Sequence, residues 1–324
     1  MSSATKKHRR PKFTLRVFLL LVTVIAVLLG WSTQKYFQMQ AEETYLDRLR
    51  NCLGEVAAPM PDYSHHRHHR KASECKTYLD RMLWVKYDYQ YDRKGEFQDD
   101  AVPPGPQWLR RHVGDKIFAR VKSLVFSTDE FDQQYGLVTY RRVDPNVLDG
   151  IEKLSRLENL AIYVENLPSL VNLERLKLLE ELDLRTGSSF PVNLAEISML
   201  SNLRRVKIEG PTISEGESGT GQSQLRVLEL KENHGITDLA DMGFARNLVE
   251  LKIVKCKQLC SLKGIENFQS LRKLSLSNCD SLESIEGIEN VSQLRILKLF
   301  DTPKIKPIDR DRLPTSLEQL ELEN

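Results

Sequence analysis

The C-terminal half of this chain repeats one short phrase, Leu-x-x-Leu-x-Leu or its Val and Ile equivalents, at nearly constant spacing. The first leucines of its eight copies are Leu157, Leu179, Leu203, Leu225, Leu248, Leu271, Leu294 and Leu317, with steps of 22, 24, 22, 23, 23, 23 and 23 residues. So steady a period marks a solenoid, because a unit this short cannot bury its apolar face alone and gains a core only by stacking on its neighbours. A scaffold of this kind presents a broad surface, which points to binding ahead of chemistry.

The phrase has a direct physical reading. In Leu271-Arg272-Lys273-Leu274-Ser275-Leu276 the last four positions alternate polar and apolar, the pattern of a short strand with one buried face. Three residues after the last aliphatic residue of four strands stand Asn233, Cys256, Cys279 and Thr302, small side chains able to hydrogen-bond a tight turn from inside. The returning segments, such as Leu259 to Ile265 and Leu282 to Ile288, are short and interrupted by Gly264 and Gly287, which predicts 3₁₀ or single helical turns on the convex side. In the third unit, Pro211 to Ser223 loses most convex apolar positions, and a loose coil is expected there.

With every strand phrase complete and Gly264-Ile265-Glu266-Asn267 echoed by Gly287-Ile288-Glu289-Asn290, residues 157–324 resemble the leucine-rich-repeat family in its short, internalin-like class. The fold this implies is an α/β repeat: a solenoid with a parallel β-sheet on the concave face and short 3₁₀ or helical turns on the convex face.

Ahead of the repeats the chain changes character. A basic start (Lys6, Lys7, Arg9, Arg10, Lys12, Arg16) precedes the apolar run Val17 to Trp31. Fifteen residues of helix reach about 22 Å, and Phe13, Leu15 and a snorkelling Arg16 extend the run toward a hydrocarbon core of roughly 30 Å. A cleavable signal peptide has an apolar region of the same length, but Gly30-Trp31-Ser32 is a poor cleavage site. The expectation is therefore an uncleaved transmembrane anchor over 13–31 with a basic cytoplasmic tail over 1–12. By the positive-inside rule this leaves the remainder on the extracytoplasmic, periplasmic side of the cell membrane.

Residues 32–76 read as a linker. Ala41 to Leu53 carries helical spacing in Tyr45, Leu46, Leu49 and Leu53, and Pro59 and Pro61 stop it. The tract that follows offers His65, His66, His68 and His69 as candidate metal ligands or a pH-sensitive cluster, since imidazole titrates near neutrality. A metal site needs ligands converging from a fixed frame, which this tract lacks, so a solvated linker is the plainer reading. Cys52 and Cys75 bracket it and are spaced to close a loop in an oxidising compartment.

Residues 77–126 read as a small α+β module. A short helix over 72–83 leads into it, followed by a strand from Trp84 to Tyr91, a Pro/Gly turn at 103–106 and a helical stretch from Gln107 to His112. Val121 to Phe126 then repeats the strand phrase as a zeroth unit, separated from the first by an insertion and lead-in over 127–156. The module's expected role is to cover the exposed apolar end of the first coil. With Gly30-Trp31, Tyr87-Asp88-Tyr89 and Trp108-Leu109-Arg110-Arg111 in this order, the chain resembles N-terminally membrane-anchored leucine-rich-repeat proteins of planctomycete bacteria, a resemblance that implies no known activity.

Function turns on the polar slots of the strands, which form three columns across the coils. The middle column is Ala161, Asp183, Lys207, Glu229, Lys252, Ser275, Lys298 and Glu321. It is flanked by Asn159, Glu181, Arg205, Val227, Glu250, Lys273, Ile296, Gln319 and by Tyr163, Arg185, Glu209, Lys231, Val254, Ser277, Phe300, Glu323. Eight neighbouring pairs are opposite in charge and none is alike, so the face is expected to neutralise itself. No basic stripe with stacking aromatics is present, which argues against nucleic acid. The apolar exception is Val254, Ile296 and Phe300, a candidate protein-contact patch. No phosphate loop, HExxH, CxxC pair or nucleophile elbow occurs, so neither an enzyme nor a cofactor is expected. The leading functional expectation is a membrane-anchored, outward-facing, non-catalytic scaffold that binds a protein or envelope component. The alternatives are a structural envelope protein that self-associates through an uncapped C-terminal edge, and a metal- or pH-responsive site at the His tract.

Overall fold

Each copy of the phrase folds as one short strand, its aliphatic positions turned into the core and the positions between them lining an open face. The computed structural model describes residues 15–56, 83–90, 98, 101–104, 107, 110–111, 116, 119–132, 137–140, 143–166, 169–187, 191–210, 213–214, 224–306 and 308–323. In chain order the strands are β1 (Leu83–Tyr87), β2 (Val121–Ser127), β3 (Asp129–Asp132), β4 (Leu137–Tyr140), β5 (Asn159–Val164), β6 (Glu181–Thr186) and β7 (Val192–Asn193). They continue with β8 (Arg205–Glu209), β9 (Ile213–Ser214), β10 (Val227–Lys231), β11 (Glu250–Val254), β12 (Lys273–Ser277), β13 (Ile296–Phe300) and β14 (Gln319–Glu323). Among the described residues a ten-stranded sheet runs β1-β2-β5-β6-β8-β10-β11-β12-β13-β14, parallel except where β1 meets β2. Its register equals the repeat period, so Leu228 stands beside Leu251, Leu251 beside Leu274 and Leu274 beside Leu297. These leucines are buried, as is the second aliphatic of each phrase from Ile162 to Leu299, whereas Leu322 on β14 is 52% exposed. Full burial of one such side chain contributes roughly 1.5–3 kcal/mol, and the single core these ladders form is what orders the coils.

The convex side is built from 3₁₀ turns at Ile151–Lys153, Val171–Arg175, Ala240–Ala245, Ile265–Asn267, Ile288–Asn290 and Arg310–Arg312, and one short helix, α2 (Leu194–Ser198). The duplicated Gly-Ile-Glu-Asn has a geometric cause. Gly264 and Gly287 take φ of 95° and 94°, and the Glu two residues later accepts each glycine's N–H at 3.0 Å. At Gly264 a Cβ would stand 2.6 Å from the backbone of Ala240, so close stacking of the coils also requires glycine. In the third unit β9 pairs in parallel with β7, so the expected loose coil holds two ordered residues, and the rest of that stretch lies largely outside the described residues.

A second ladder runs along the turn after the strands. Glu232, Lys255, Asn278 and Asp301 are all left-handed, with φ between 48° and 56°. The conformation aims each N–H at the last strand residue of the next coil: Val254, Ser277, Phe300 and Glu323 accept at 2.8–3.0 Å. Directly after them Asn233, Cys256, Cys279 and Thr302 turn inward and are buried, as their spacing implied. Cys256 and Cys279 are free thiols. Burial pushes them up to about 12 and about 11, which makes them poor nucleophiles at neutral pH.

The N-terminal end departs from the sequence reading in two places. A single helix, α1, runs from Leu15 to Val56, so the span read as linker from residue 32 is helical as far as Val56 and continuous with the apolar run before it. The second half of α1 packs on the first coil. Tyr45, Leu46 and Leu49 are each 1% exposed and join Val147, Leu148 and Ile151 in the core. The Tyr45 hydroxyl donates to the Val147 carbonyl at 3.2 Å, and Arg48 donates to the carbonyls of Asp149 and Asn146. Second, the strand expected over Trp84 to Tyr91 ends at Tyr87 and passes into a 3₁₀ turn, Asp88–Gln90. The cause is a side-chain closure: Gln90 accepts from the Tyr87 N–H at 2.9 Å, and Asp88 accepts from the Arg120 N–H at 3.1 Å while its own N–H binds the Arg120 carbonyl. The cap is thus shared between β1, on the sheet edge, and α1. The strand read as a zeroth unit, β2, pairs in parallel with β5. The insertion after it contains an antiparallel hairpin of β3 and β4.

Candidate binding surface on the concave sheet

The strands position the three polar columns in the register the repeat period implied, residue for residue from Asn159 beside Glu181 to Phe300 beside Glu323. Seven of the eight opposite-charge neighbours form ion pairs. They are Arg205–Glu181 (3.4 Å), Lys273–Glu250 (2.7 Å), Lys207–Asp183 (3.9 Å), Lys252–Glu229 (3.0 Å), Lys298–Glu321 (2.7 Å), Arg185–Glu209 (3.4 Å) and Lys231–Glu209 (2.5 Å). For the eighth, Lys207 turns to Glu209 on its own strand at 3.5 Å instead of reaching Glu229. Glu209 is the hub, with Arg185, Lys207 and Lys231 all within 3.5 Å. Desolvation pushes its carboxyl up, but the Lys231 hydrogen bond and the charges of Arg185, Lys231 and Lys207 outweigh it, so its pKa lies below the ordinary carboxylate value. Exposed pairs of this kind are worth about 0–1 kcal/mol each. Their effect is on recognition, since a surface that satisfies its own charges offers little to a charged ligand.

A denser feature, not singled out from sequence, sits at the first coils. The Arg185 guanidinium lies 4.3 Å from the ring centroid of Tyr163, whose hydroxyl donates to Asp183 at 2.9 Å. Its signal was present in the columns, where Tyr163 and Arg185 stand side by side, because an arginine next to an aromatic in register stacks on it.

Val254, Ile296 and Phe300 are half-buried on this face. The register places Val254 and Phe300 in one row with Ser277 between them, about 9.6 Å apart at two strand spacings. Ile296 lies four residues down β13 from Phe300, with Lys298 between them held by Glu321. The three form an open triangle around Ser277 and Lys298, not one contiguous patch.

His65, His66, His68, His69 and Cys75 lie outside the described residues. Cys52 is a free, half-buried thiol on α1. Among the described residues no group of three or more His, Cys, Asp or Glu is arranged to hold a metal ion.

Together, the period-matched parallel sheet, the turn ladder and the convex 3₁₀ turns define a leucine-rich-repeat solenoid. Its likeness is to short-repeat proteins of the internalin kind. An internalin, inlF, from Listeria monocytogenes is 17% identical, over 54% of this chain and 70% of that one, with a TM-score of 0.34. The leucine-rich-repeat domain of the type III effector XopL is 21% identical, over 53% and 71%, with a TM-score of 0.42. A leucine-rich-repeat protein of Leptospira interrogans is 19% identical, over 54% and 62%, with a TM-score of 0.26. No family model matches the chain, and no curated protein matches it. Among the described residues one N-terminal helix is long and apolar enough to cross a membrane.

Proposed function

We propose that this protein is a membrane-anchored scaffold that holds its solenoid outside the cytoplasm and binds a protein or envelope component there without catalysis. The observation that carries the reading is α1. From Leu19 to Leu29 its large apolar side chains stand 45–70% exposed, an arrangement that water disfavours and a bilayer satisfies. The same helix then seats itself in the solenoid core, so anchor and binding domain form one object. The basic residues from Lys6 to Arg16 favour a cytoplasmic N-terminus. Binding is assigned to the concave sheet, with Phe300, Ile296 and Val254 as the contact residues, because most of the charged slots are paired with one another. Carbonate extraction of native membranes combined with protease digestion of intact cells tests the anchor; release by carbonate, or a solenoid protected from external protease, would overturn it. A photo-crosslinking side chain at Phe300 tests the surface. A discrete adduct that disappears with Ile296→Ser supports it, and capture of a partner only from convex positions would refute it.

A further inference from the structure

The edge of the solenoid that precedes the strands supports one inference. It rests on the reading that α1 crosses the membrane, and it concerns which side of the solenoid then meets the lipid.

The path of α1 over the first coil is fixed by a series of contacts. Gln38 donates to the Ser155 hydroxyl at 2.9 Å, Glu42 pairs with Arg120 at 3.6 Å, Tyr45 reaches Val147 and Arg48 reaches Asn146 and Asp149. Its main packing partner is the first 3₁₀ turn, Ile151–Lys153. Going outward from the apolar half, the helix therefore enters at the corner just before β5 and leaves on the far side of the same coil. It lies across the end of the solenoid, which sets the stacking direction of the coils at a steep angle to the helix. If α1 stands along the bilayer normal, the coils stack along the membrane plane with the pre-strand corners underneath. Trp31 and Gln38 are roughly 10 Å apart along the helix at 1.5 Å per residue, so these corners sit at headgroup level.

The composition of that edge fits the location. Each of the first seven coils places one Arg or Lys there, flanking the first leucine of the phrase: Arg156, Lys177, Arg204, Arg226, Arg246, Arg272 and Arg295. All are exposed. Within the same positions of those coils the acids are Glu158 and Glu180, paired to Lys122 and Arg204. Leu178 and Met199, on the second and third coils beside the anchor, are 40% and 60% exposed. The opposite edge, after the strands, mixes signs in Glu232, Lys255, Asp280 and Asp301. One edge is cationic with apolar side chains near the anchor; the other is neither.

We propose that the pre-strand edge is a lipid-binding surface: its Arg and Lys row lies on anionic phospholipid headgroups, with Leu178 and Met199 at the acyl boundary. Basic side chains at an anionic leaflet each add attraction that fades within a Debye length, and exposed aliphatic groups gain by leaving water. The solenoid then lies along the membrane, its concave sheet opening sideways toward other membrane-held proteins.

The test uses the full chain in phosphatidylcholine vesicles, with and without about 30% phosphatidylglycerol as the anionic lipid. A benzophenone side chain is placed at Leu178, at Arg246 or, on the opposite edge, at Asp280. Lipid adducts from Leu178 and Arg246 should exceed those from Asp280 by about tenfold, rise with phosphatidylglycerol and fall with salt. The exposed substitutions Arg246→Gln and Arg272→Gln together should lower the Leu178 adduct severalfold while leaving the unfolding transition unchanged. Equal adducts from Leu178 and Asp280, or indifference to lipid charge, would overturn the surface while the anchor stands. Chain that carbonate strips from the vesicles would overturn the anchor and the surface together.

Discussion

The two halves of α1 are one uninterrupted helix in opposite circumstances. Between Leu19 and Leu29 the large apolar side chains stand 45–70% exposed, whereas Tyr45, Leu46 and Leu49 are sealed in the core of the first coil. Helical geometry is indifferent to this change. What differs is the partner, and the comparison teaches that the exposed apolar stretch and the segment packed on the first coil are one element. The apolar half of α1 is joined to the first coil without a break in the helix.

Substitution separates the halves most sharply. Leu46→Ala or Leu49→Ala should cost about 2–5 kcal/mol in denaturant unfolding of the detergent-solubilised chain, because each leaves a cavity among Val147, Leu148 and Ile151. The same change at Leu20 or Leu28 should move that transition by less than about 0.5 kcal/mol. Comparable losses in both halves would erase the distinction. Next in size is continuity: Gln34→Pro should cost the helix about 3 kcal/mol at the junction and leave the solenoid transition in place. Its signature is a broadened orientation of a spin label on β10 relative to the bilayer. An unchanged distribution would mean that α1 does not set the pose.

The docked half should also respond to pH. Glu42 and Arg120 form an ion pair with side chains only 6% and 5% exposed. Desolvation raises the Glu42 carboxyl to about 7, against the opposing pull of Arg120. A carboxyl raised on docking binds its proton more tightly in the folded state. Its contribution is therefore complete below the unfolded value near 4.5 and is lost as pH rises through about 7. Thermal stability of the first coil should fall by about 1–3 kcal/mol between pH 5 and 8, and Glu42→Gln should flatten that slope. A slope that survives the substitution would assign it to another group. The smallest effect belongs to the turn ladder, far from α1. Lys255→Gly removes the cost of a left-handed side chain and should stabilise by up to about 1 kcal/mol, less a few tenths for the exposed pair with Glu232.

The solenoid was far more legible than its cap, for a physical reason. In a parallel sheet whose register equals the repeat period, neighbours in space are neighbours at a fixed offset in sequence, so columns such as Asp183, Lys207 and Glu229 follow from counting. The apolar spacing of Tyr45, Leu46 and Leu49 marked a helix, but Ser32-Thr33-Gln34-Lys35 interrupts the apolar pattern without interrupting the backbone. Its docking partners, Val147 and Ile151, lie about a hundred residues away and outside the period. The identity of a charge pair was readable, yet its rotamer was not: Lys207 chose Glu209 over Glu229, a decision made by side-chain reach on a twisted sheet.

The hub at Glu209 carries a consequence for how such a face changes over time. Because one carboxylate serves Arg185, Lys207 and Lys231, losing it removes a shared partner from three cations on three strands at once and leaves Arg185 and Lys207 to Asp183, whereas losing any one cation leaves the others matched. Substitutions here are not independent: an acid at this position constrains residues in the coils on both sides, and a new specificity must arrive through compensated pairs. Positions without such a hub, like Ser275 and Ser277 on β12, are where single replacements can accumulate and a partner's contact can drift.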